Sequence, residues 1–257
     1  MTGSSGFFRR ELDRYAPTDL TLSPWSGNSQ AGVALAALIA HVLDQTPAPV
    51  AMHTARLTID ILGAVPMEAL VASARIVREG RRIQNVALEL GIGNRTWVRA
   101  SALRVRSLPT PLVEHPPTRP FPHQSKTLRA GWLESIAAEG DFGGVGPGAR
   151  WLRFHASAVE GEPTSPLERI AILADFGGGV AAPLPRADWT LANLDIAFHL
   201  SRLPRSDWLL IDSTSLSAGN GVGVVDSRFS DLDGMIGSGQ QTLFLDRWQG
   251  TNPFTKG

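Results

Sequence analysis

Three polar side chains in the second half of the sequence, Asp175, Thr214 and Gln241, could together activate a water molecule. A carboxylate can take a proton from water, a hydroxyl can hold that water, and an amide can donate to a carbonyl oxygen. Each such group costs roughly 1–3 kcal/mol when it is buried without a partner. Polar residues at inward-facing positions therefore indicate a site, provided that the surrounding elements place them together.

The two halves of the chain resemble each other, and the three polar residues mark where they differ. Pro66 aligns with Pro204 at an offset of 138 residues, and the alignment continues without a gap to Gln241. Each polar residue then lies opposite an apolar one: Asp175 opposite Ala37, Thr214 opposite Ile76, and Gln241 opposite Leu103. Self-similarity of this kind is typical of a duplicated structural unit. It favours a site in the second copy, although ordinary surface substitutions would give a similar pattern.

The first copy is predicted to hold one buried helix followed by an antiparallel meander. A nearly apolar helix is expected at 30–43, capped by Asn28 or Ser29. Alternation of apolar and polar residues then predicts four strands, at about 50–62, 69–79, 82–92 and 96–106. We therefore expect an N-terminal unit at 7–106.

The second copy repeats this order after a break. Residues 107–150 are rich in proline and glycine and are expected to form a linker, with a short helix at 128–138. A strand at 151–159 and a helix at 166–175, capped by Ser165, precede four further strands. The predicted C-terminal unit, 151–247, carries the candidate site.

Composition and missing motifs exclude several classes of function. The formal net charge is zero, so no overall field attracts nucleic acid, and the absence of cysteine rules out thiol nucleophiles, thiolate metal sites and disulfides. The six histidines show no metal-ligand spacing, and the sequence lacks the Gly-x-Ser-x-Gly, zinc-protease and nucleotide-loop motifs. There is no signal-peptide pattern and no apolar run long enough for a membrane span. We expect a cytoplasmic protein that binds no nucleic acid, does not enter membranes, and needs no metal or cofactor.

The stretches 56–66, 77–84 and 212–215 resemble TesB-like (type II) acyl-CoA thioesterases, and the resemblance extends over about 7–247. It implies an α+β fold, the double hotdog, in which two antiparallel sheets are each wrapped round a central helix. It also implies an acyl-CoA substrate and a homo-oligomer formed through the sheets. The catalytic trio that it implies is Asp175, Thr214 and Gln241, with Ser215 and Gln240 as neighbouring alternatives.

The predicted function is therefore hydrolysis of an acyl-CoA thioester. Asp175 would act as general base, Gln241 would orient water or the carbonyl oxygen, and backbone N–H groups near Gly27 and Gln30 would hold the oxyanion. The alternative is a hotdog module that binds acyl-CoA or another apolar ligand without turning it over, but such a binder needs no acid, hydroxyl and amide together. The sequence leaves open the acyl chain length and the choice between CoA and acyl carrier protein.

Overall fold

The computed structural model describes residues 5–249 and Asn252. This part of the chain contains a 3₁₀ turn at Asp19–Thr21, two main helices, α1 (Gly32–Asp44) and α2 (Pro166–Ala174), and a single helical turn, α3 (Gly177–Val180). The remaining elements are strands. They are β1 (Gly6–Glu11), β2 (Arg14–Pro17), β3 (Met52–Ile61), β4 (Leu70–Arg78), β5 (Ile83–Ile92), β6 (Arg95–Arg106), β7 (Leu128–Ala130), β8 (Leu133–Glu139), β9 (Gly148–Phe154), β10 (Ser157–Val159), β11 (Trp189–Asn193), β12 (Asp195–Leu200), β13 (Leu209–Ser217), β14 (Val222–Asp231) and β15 (Gly234–Arg247).

The strands form one continuous sheet rather than the two separate sheets that the sequence predicted. Their order is β10-β1-β2-β4-β5-β6-β3-β12-β15-β14-β13-β9-β8-β7, with β11 also paired to β15. The two halves meet where β3 pairs with β12, from Arg56 opposite His199 to Asp60 opposite Asp195. Backbone hydrogen bonds across this seam satisfy two strand edges that would otherwise be exposed, so the halves join edge to edge.

The helix α1 lies at the centre of the core. Ten of its thirteen residues are buried, as its nearly apolar composition predicts. It begins two residues later than expected, because the N–H groups of Gln30 and Ala31 donate to Val65 and Thr21 and hold this stretch extended. Within residues 5–249, no helix has the length and apolarity that crossing a bilayer requires.

The second helix packs directly against α1. Ser165 and Glu168 form a capping box at its N-terminus, and Pro166 occupies the first turn, as the sequence predicted. Glu168 is also buried, and its Oε1 atom lies 3.0 Å from Nδ1 of His41 in α1. This contact fixes α2 against α1, and α2 in turn carries Asp175 at its C-terminal end.

The segment expected to be a linker contributes to the sheet. The predicted helix at 128–138 is wrong, because these residues form the hairpin of β7 and β8, with Gly131 at a positive φ of 57° in the turn. The preceding residues cross the outer face of the sheet, where Phe121 packs against Trp151 and Trp208. Proline content correctly indicated an irregular path before Ser125 but carried no information about the strands that follow.

Strand pairing repeats between the halves at an offset of 139 residues, one more than the sequence comparison gave. Val86 pairs with Ile76 and Ala102 in the first half, and Val225 pairs with Ser215 and Gln241 in the second. Since successive side chains of a strand point to opposite faces, an error of one residue moves every side chain to the wrong face. This difference decides which polar residues can share a site.

A buried arginine closes the C-terminal end of α1. Arg104 on β6 donates to the carbonyl oxygens of Leu43 and Thr46 and to Oε1 of Gln84, and only 6% of its surface is exposed. The last carbonyl groups of a helix have no partners within the helix, so the guanidinium satisfies acceptors that the core would otherwise leave unpaired.

We expect Arg104→Met to lower the free energy of unfolding by about 3–5 kcal/mol, because it leaves several buried acceptors without a donor. The measurement is urea denaturation followed by circular dichroism. Arg99→Met is the matched control, since Arg99 lies on the same strand but forms an exposed ion pair with Glu89. Its expected cost is below about 1 kcal/mol. Equal losses in the two variants would contradict this account.

Candidate active site

The carboxylate of Asp175 lies where the C-terminal end of α2 meets the N-terminal end of α1. Asn193 on β11 donates to its Oδ1 atom at 2.7 Å and to its backbone oxygen at 3.1 Å. The backbone N–H of Val33, in the first turn of α1, also donates to the carboxylate. A carboxylate at this position interacts favourably with the helix dipole of α1.

Burial raises the pKa of Asp175 from its ordinary value of 3.8 to about 6. Hydrogen bonds from Asn193 and from the backbone of Val33 act in the opposite direction, but removal of solvent is the larger effect. The residue still lines an open cavity, so water can reach it. A carboxyl group with a pKa near 6 is ionised at neutral pH and is a stronger base than an exposed aspartate.

Gln241 holds the chain segment that follows α2. Its side chain is buried on β15, where Nε2 donates to the backbone oxygen of Asp175 at 3.0 Å and Oε1 accepts from the N–H of Gly178 at 3.2 Å. Both ends of the amide are therefore bound to backbone, one to the residue that ends α2 and the other to a residue within α3. The structure brings Gln241 and Asp175 together, as the sequence predicted, but Gln241 contacts the backbone of Asp175 rather than its carboxylate.

The glycines after Asp175 allow this close approach. A Cβ atom on Gly177 would lie 2.1 Å from Oε1 of Gln241 and 3.0 Å from Oγ of Ser227. A side chain there would displace the amide, so the contact between α3 and the sheet requires glycine at 177.

Thr214 does not lie with Asp175 and Gln241. Its side chain is exposed on the outer face of the sheet, where Gln240 donates to Asp226, while Gln241 points to the inner face. The sequence comparison placed Thr214 opposite Ile76, but at the observed offset the equivalent of Ile76 is Ser215. Ser215 faces inward but lines a separate cavity beside Leu216 and Leu245. The proposed alternative Gln240 shares the outer face with Thr214.

Asn193 is the site residue that the sequence analysis missed. Its two hydrogen bonds to Asp175 give it the place that had been assigned to Thr214. The signal available in the sequence was weak: Trp189, Leu191 and Asn193 share the inward parity of one strand, and the third of them is polar. The amide of Asn193 did not indicate a site, because the sequence does not show that it contacts Asp175.

Gly27 and Gln30, the two residues expected near the oxyanion site, lie in different environments. Gly27 is exposed and does not line the cavity. Gln30 is buried in the cavity wall, but its amide nitrogen donates to the carbonyl oxygens of Pro66 and Glu68. Because α1 begins at Gly32, the donors at its start are the N–H groups of Gly32 and Val33. Ala31, the residue before them, provides no side-chain cap for these N–H groups.

An apolar cavity of about 700 Å³ opens beside Asp175. Both halves of the chain line it, with Gly32, Val33 and Ile61 from the first and Asp175, Asn193 and Leu194 from the second. Its volume is typical of small-molecule sites, about 300–1,000 Å³. In residues 5–249 no group of three or more His, Asp or Glu side chains is arranged to hold a metal ion.

Comparison with known proteins identifies the family. A model of the acyl-CoA thioesterase N-terminal domain matches residues 21–105, and a model of the acyl-CoA thioesterase C-terminal domain matches residues 109–245. No curated protein sequence matches this chain.

Solved structures show the same fold at low sequence identity. Acyl-CoA thioesterase II TesB2 from Mycobacterium marinum superposes with a TM-score of 0.68 at 18% identity, covering 95% of this chain and 96% of that one. The TesB protein of Mycobacterium avium subspecies paratuberculosis gives 0.66 at 14% identity, with 93% and 95% covered. A hotdog-fold protein of unknown function from Alicyclobacillus acidocaldarius gives 0.71 at 14% identity, also with 93% and 95% covered. With both domain models matched in order, the chain belongs to the acyl-CoA thioesterase family and is a thioester hydrolase with a hotdog fold.

Proposed function

We propose that Asp175 is the general base with which this thioesterase hydrolyses acyl-CoA. The observation that carries the proposal is a carboxylate of raised pKa that lines an apolar cavity and lies against the first N–H groups of a buried helix. Proton abstraction needs the base, and the tetrahedral oxyanion needs donors beside it. Asp175 and the start of α1 supply both within one corner of the cavity.

The proposed reaction has two steps, addition of water to the thioester and loss of CoA. Asp175 takes a proton from water as the water oxygen bonds to the thioester carbonyl carbon, and the carbonyl oxygen becomes an oxyanion held by the Gly32 N–H. The C–S bond then breaks as the carbonyl re-forms, and the departing CoA sulfur takes the proton back from Asp175. The products are the free acid and CoA, and Asp175 returns to its ionised state.

Asn193 and Gln241 act as positioning residues in this proposal. Asn193 fixes one oxygen of the Asp175 carboxylate, which leaves the other oxygen to accept the proton. Gln241 ties the backbone of Asp175 to that of Gly178 and so sets the distance between α3 and the sheet. Thr214, on the opposite face, has no part in the reaction.

We also propose that the fold is a duplicated hotdog, with halves at about 7–106 and 151–247. The repeated pairing partners at an offset of 139 residues and the presence of one main helix in each half support this. The segment at 107–150 supplies β7, β8 and the start of β9 to the second half. Assembly into a homo-oligomer, a cytoplasmic location and the absence of nucleic-acid binding remain predictions.

We expect Asp175→Asn to lower kcat/KM for acyl-CoA by roughly 10²–10⁴-fold, because the amide cannot accept the proton. Release of free thiol from a panel of acyl-CoA esters measures this. Thr214→Val is the matched control and should stay within about twofold of the wild type, since the exposed hydroxyl lies outside the cavity and surface substitutions have small effects. A loss of kcat/KM in Thr214→Val as large as that in Asp175→Asn would show that Thr214 belongs to the catalytic trio and would contradict this proposal.

The pH dependence should report the pKa of Asp175. Because the base must be ionised, kcat/KM should rise with pH and level off above about 6. Asp175→Asn should remove this limb from its residual activity. A wild-type profile that is flat between pH 5 and pH 8 would show that another group takes the proton.

Stability should change with pH in the opposite direction. The folded protein binds the Asp175 proton more tightly than the unfolded chain, since its pKa rises from 3.8 to about 6. The resulting stability, at most about 3 kcal/mol, is present below pH 3.8 and is lost as pH rises through 6. Urea denaturation should therefore show that the free energy of unfolding of Asp175→Asn, relative to that of the wild type, increases between pH 5 and pH 8.

Gly32→Ala should impair catalysis while Gly27→Ala does not. A Cβ atom on Gly32 would lie 2.4 Å from Oδ1 of Asp175 and must push the carboxylate away from its hydrogen bonds. A Cβ atom on Gly27 would have no neighbouring atom within 4 Å. A displacement of this size can cost on the order of 10²-fold in kcat. Steady-state kinetics with thermal denaturation as a folding check will decide; equal activity in the two variants would rule out the proposed role of the α1 start.

A further inference from the structure

One side of the cavity is closed by aromatic rings, which we call the aromatic wall. Trp132 and Phe176 line the cavity, and Phe7 and Phe154 stand behind them outside its lining. Phe176 directly follows Asp175 in the chain, so the wall begins next to the proposed catalytic carboxylate. An acyl group that enters toward the wall therefore meets it soon after the thioester carbon.

The rings of the wall are in mutual contact. Trp132 meets Phe7 edge-on with centroids 5.1 Å apart, and it lies 6.0 Å from Phe154 and 6.2 Å from Phe176. Phe154 and Phe176 are 5.7 Å apart. These separations fall in the range of favourable aromatic pairs, about 4.5–7 Å. The indole is thus the ring shared by three contacts of the wall.

The region behind the wall is filled by core side chains. Phe7 is fully buried, and the residues of α1 that face the same core, including Ala34, Leu35 and Leu38, have at most 1% of their surface exposed. Protein interiors are packed as densely as organic crystals, so a long alkyl chain cannot enter without displacing side chains. Extra methylenes would have to turn back into the cavity or out to solvent.

The position of Trp132 suits it to set this limit. It occupies the tip of the β7–β8 hairpin after Gly131, and its backbone oxygen accepts from the N–H of His155, which fixes the tip. Its ring is only partly buried, unlike that of Phe7. Shortening this side chain would therefore extend the cavity without emptying the centre of the core.

We propose that Trp132 is a specificity-determining residue that limits the substrate to short-chain acyl-CoA. The proposal rests on the proposed function at Asp175, because the wall is placed relative to that carboxylate. A straight acyl chain that reaches the wall gains no binding from additional methylenes, because the packed core behind the wall does not admit them.

The test measures binding separately from turnover. The probes are non-hydrolysable S-alkyl-CoA thioethers from S-butyl to S-hexadecyl, titrated calorimetrically with the intact protein. Each buried methylene should tighten binding about fourfold. In the wild type we expect this gain to stop by S-octyl-CoA. A gain that continues unchanged to S-dodecyl-CoA would overturn the proposal.

The variant series is Trp132→Phe, Trp132→Leu and Trp132→Ala, with Trp208→Ala as control. Trp208 is also a partly buried tryptophan in ring contacts, but it lies on the outer face of the sheet. The chain length at which affinity stops rising should increase along the Trp132 series and stay unchanged in Trp208→Ala. If the limit stays at S-octyl-CoA in a folded Trp132→Leu variant, Trp132 does not set it.

Hydrolysis of butyryl-, hexanoyl- and palmitoyl-CoA separates this inference from the proposed function. Turnover that favours hexanoyl-CoA over palmitoyl-CoA in the wild type, with the preference reduced at least tenfold in Trp132→Ala, supports both. Equal turnover of hexanoyl-CoA and palmitoyl-CoA by the wild type overturns the chain-length limit and leaves the role of Asp175 standing. A chain-length limit in binding without turnover of any ester would support the wall and contradict the function.

Discussion

The meeting of the Asp175 carboxylate with the first N–H groups of α1 is the contact on which the site depends. It brings together the end of one helix and the start of the other, and therefore requires α1 and α2 to lie side by side in the core. The buried contact between His41 and Glu168 fixes that arrangement. Burial then gives the carboxylate its raised pKa, so the same packing that excludes solvent suits Asp175 to the role proposed for it.

The sheet differs between the halves in a way that follows from this site. At the observed offset, Ile76, Leu88 and Ala102 of the first half correspond to Ser215, Ser227 and Gln241 of the second. Leu88 and Ala102 lie in the core that contains α1. The polar set faces α3, where Gln241 binds backbone and Ser227 pairs with Ser213 at 2.8 Å. Polar groups inside a core stabilise it only when they are paired: Gln241 holds the segment after Asp175, whereas the buried hydroxyl of Ser215 has no hydrogen-bond partner in the described chain.

The sequence was sufficient for α1, α2 and most strands, because these depend on local pattern, and it placed Asp175 and Gln241 together, as the structure does. Apolar composition identified α1, the cap and proline identified α2, and the polar exceptions in the repeat pointed to Asp175 and Gln241. Thr214 was assigned to the wrong face because an ungapped self-alignment anchored at Pro66 and Pro204 cannot register one extra residue: β13 begins 139 residues after β4, and one residue reverses the face. The strands at β7 and β8 and the hydrogen bonds of Asn193 depend on distant partners, which no local pattern encodes.

The proposed site lies at only one end of the helix pair, and the two ends differ in how the start of the helix is capped. The arrangement nearly repeats at the opposite end, where Asp44, the last residue of α1, accepts from the hydroxyl of Ser165 at 2.5 Å. There, however, the N-terminus of α2 is closed by its own capping box, and Pro166 offers no N–H. The start of α1 has no side-chain cap at Ala31, and Gly32 lines the cavity. The capping box stabilises the start of α2. A side-chain cap at the start of α1 would instead occupy the N–H groups that the proposed oxyanion needs.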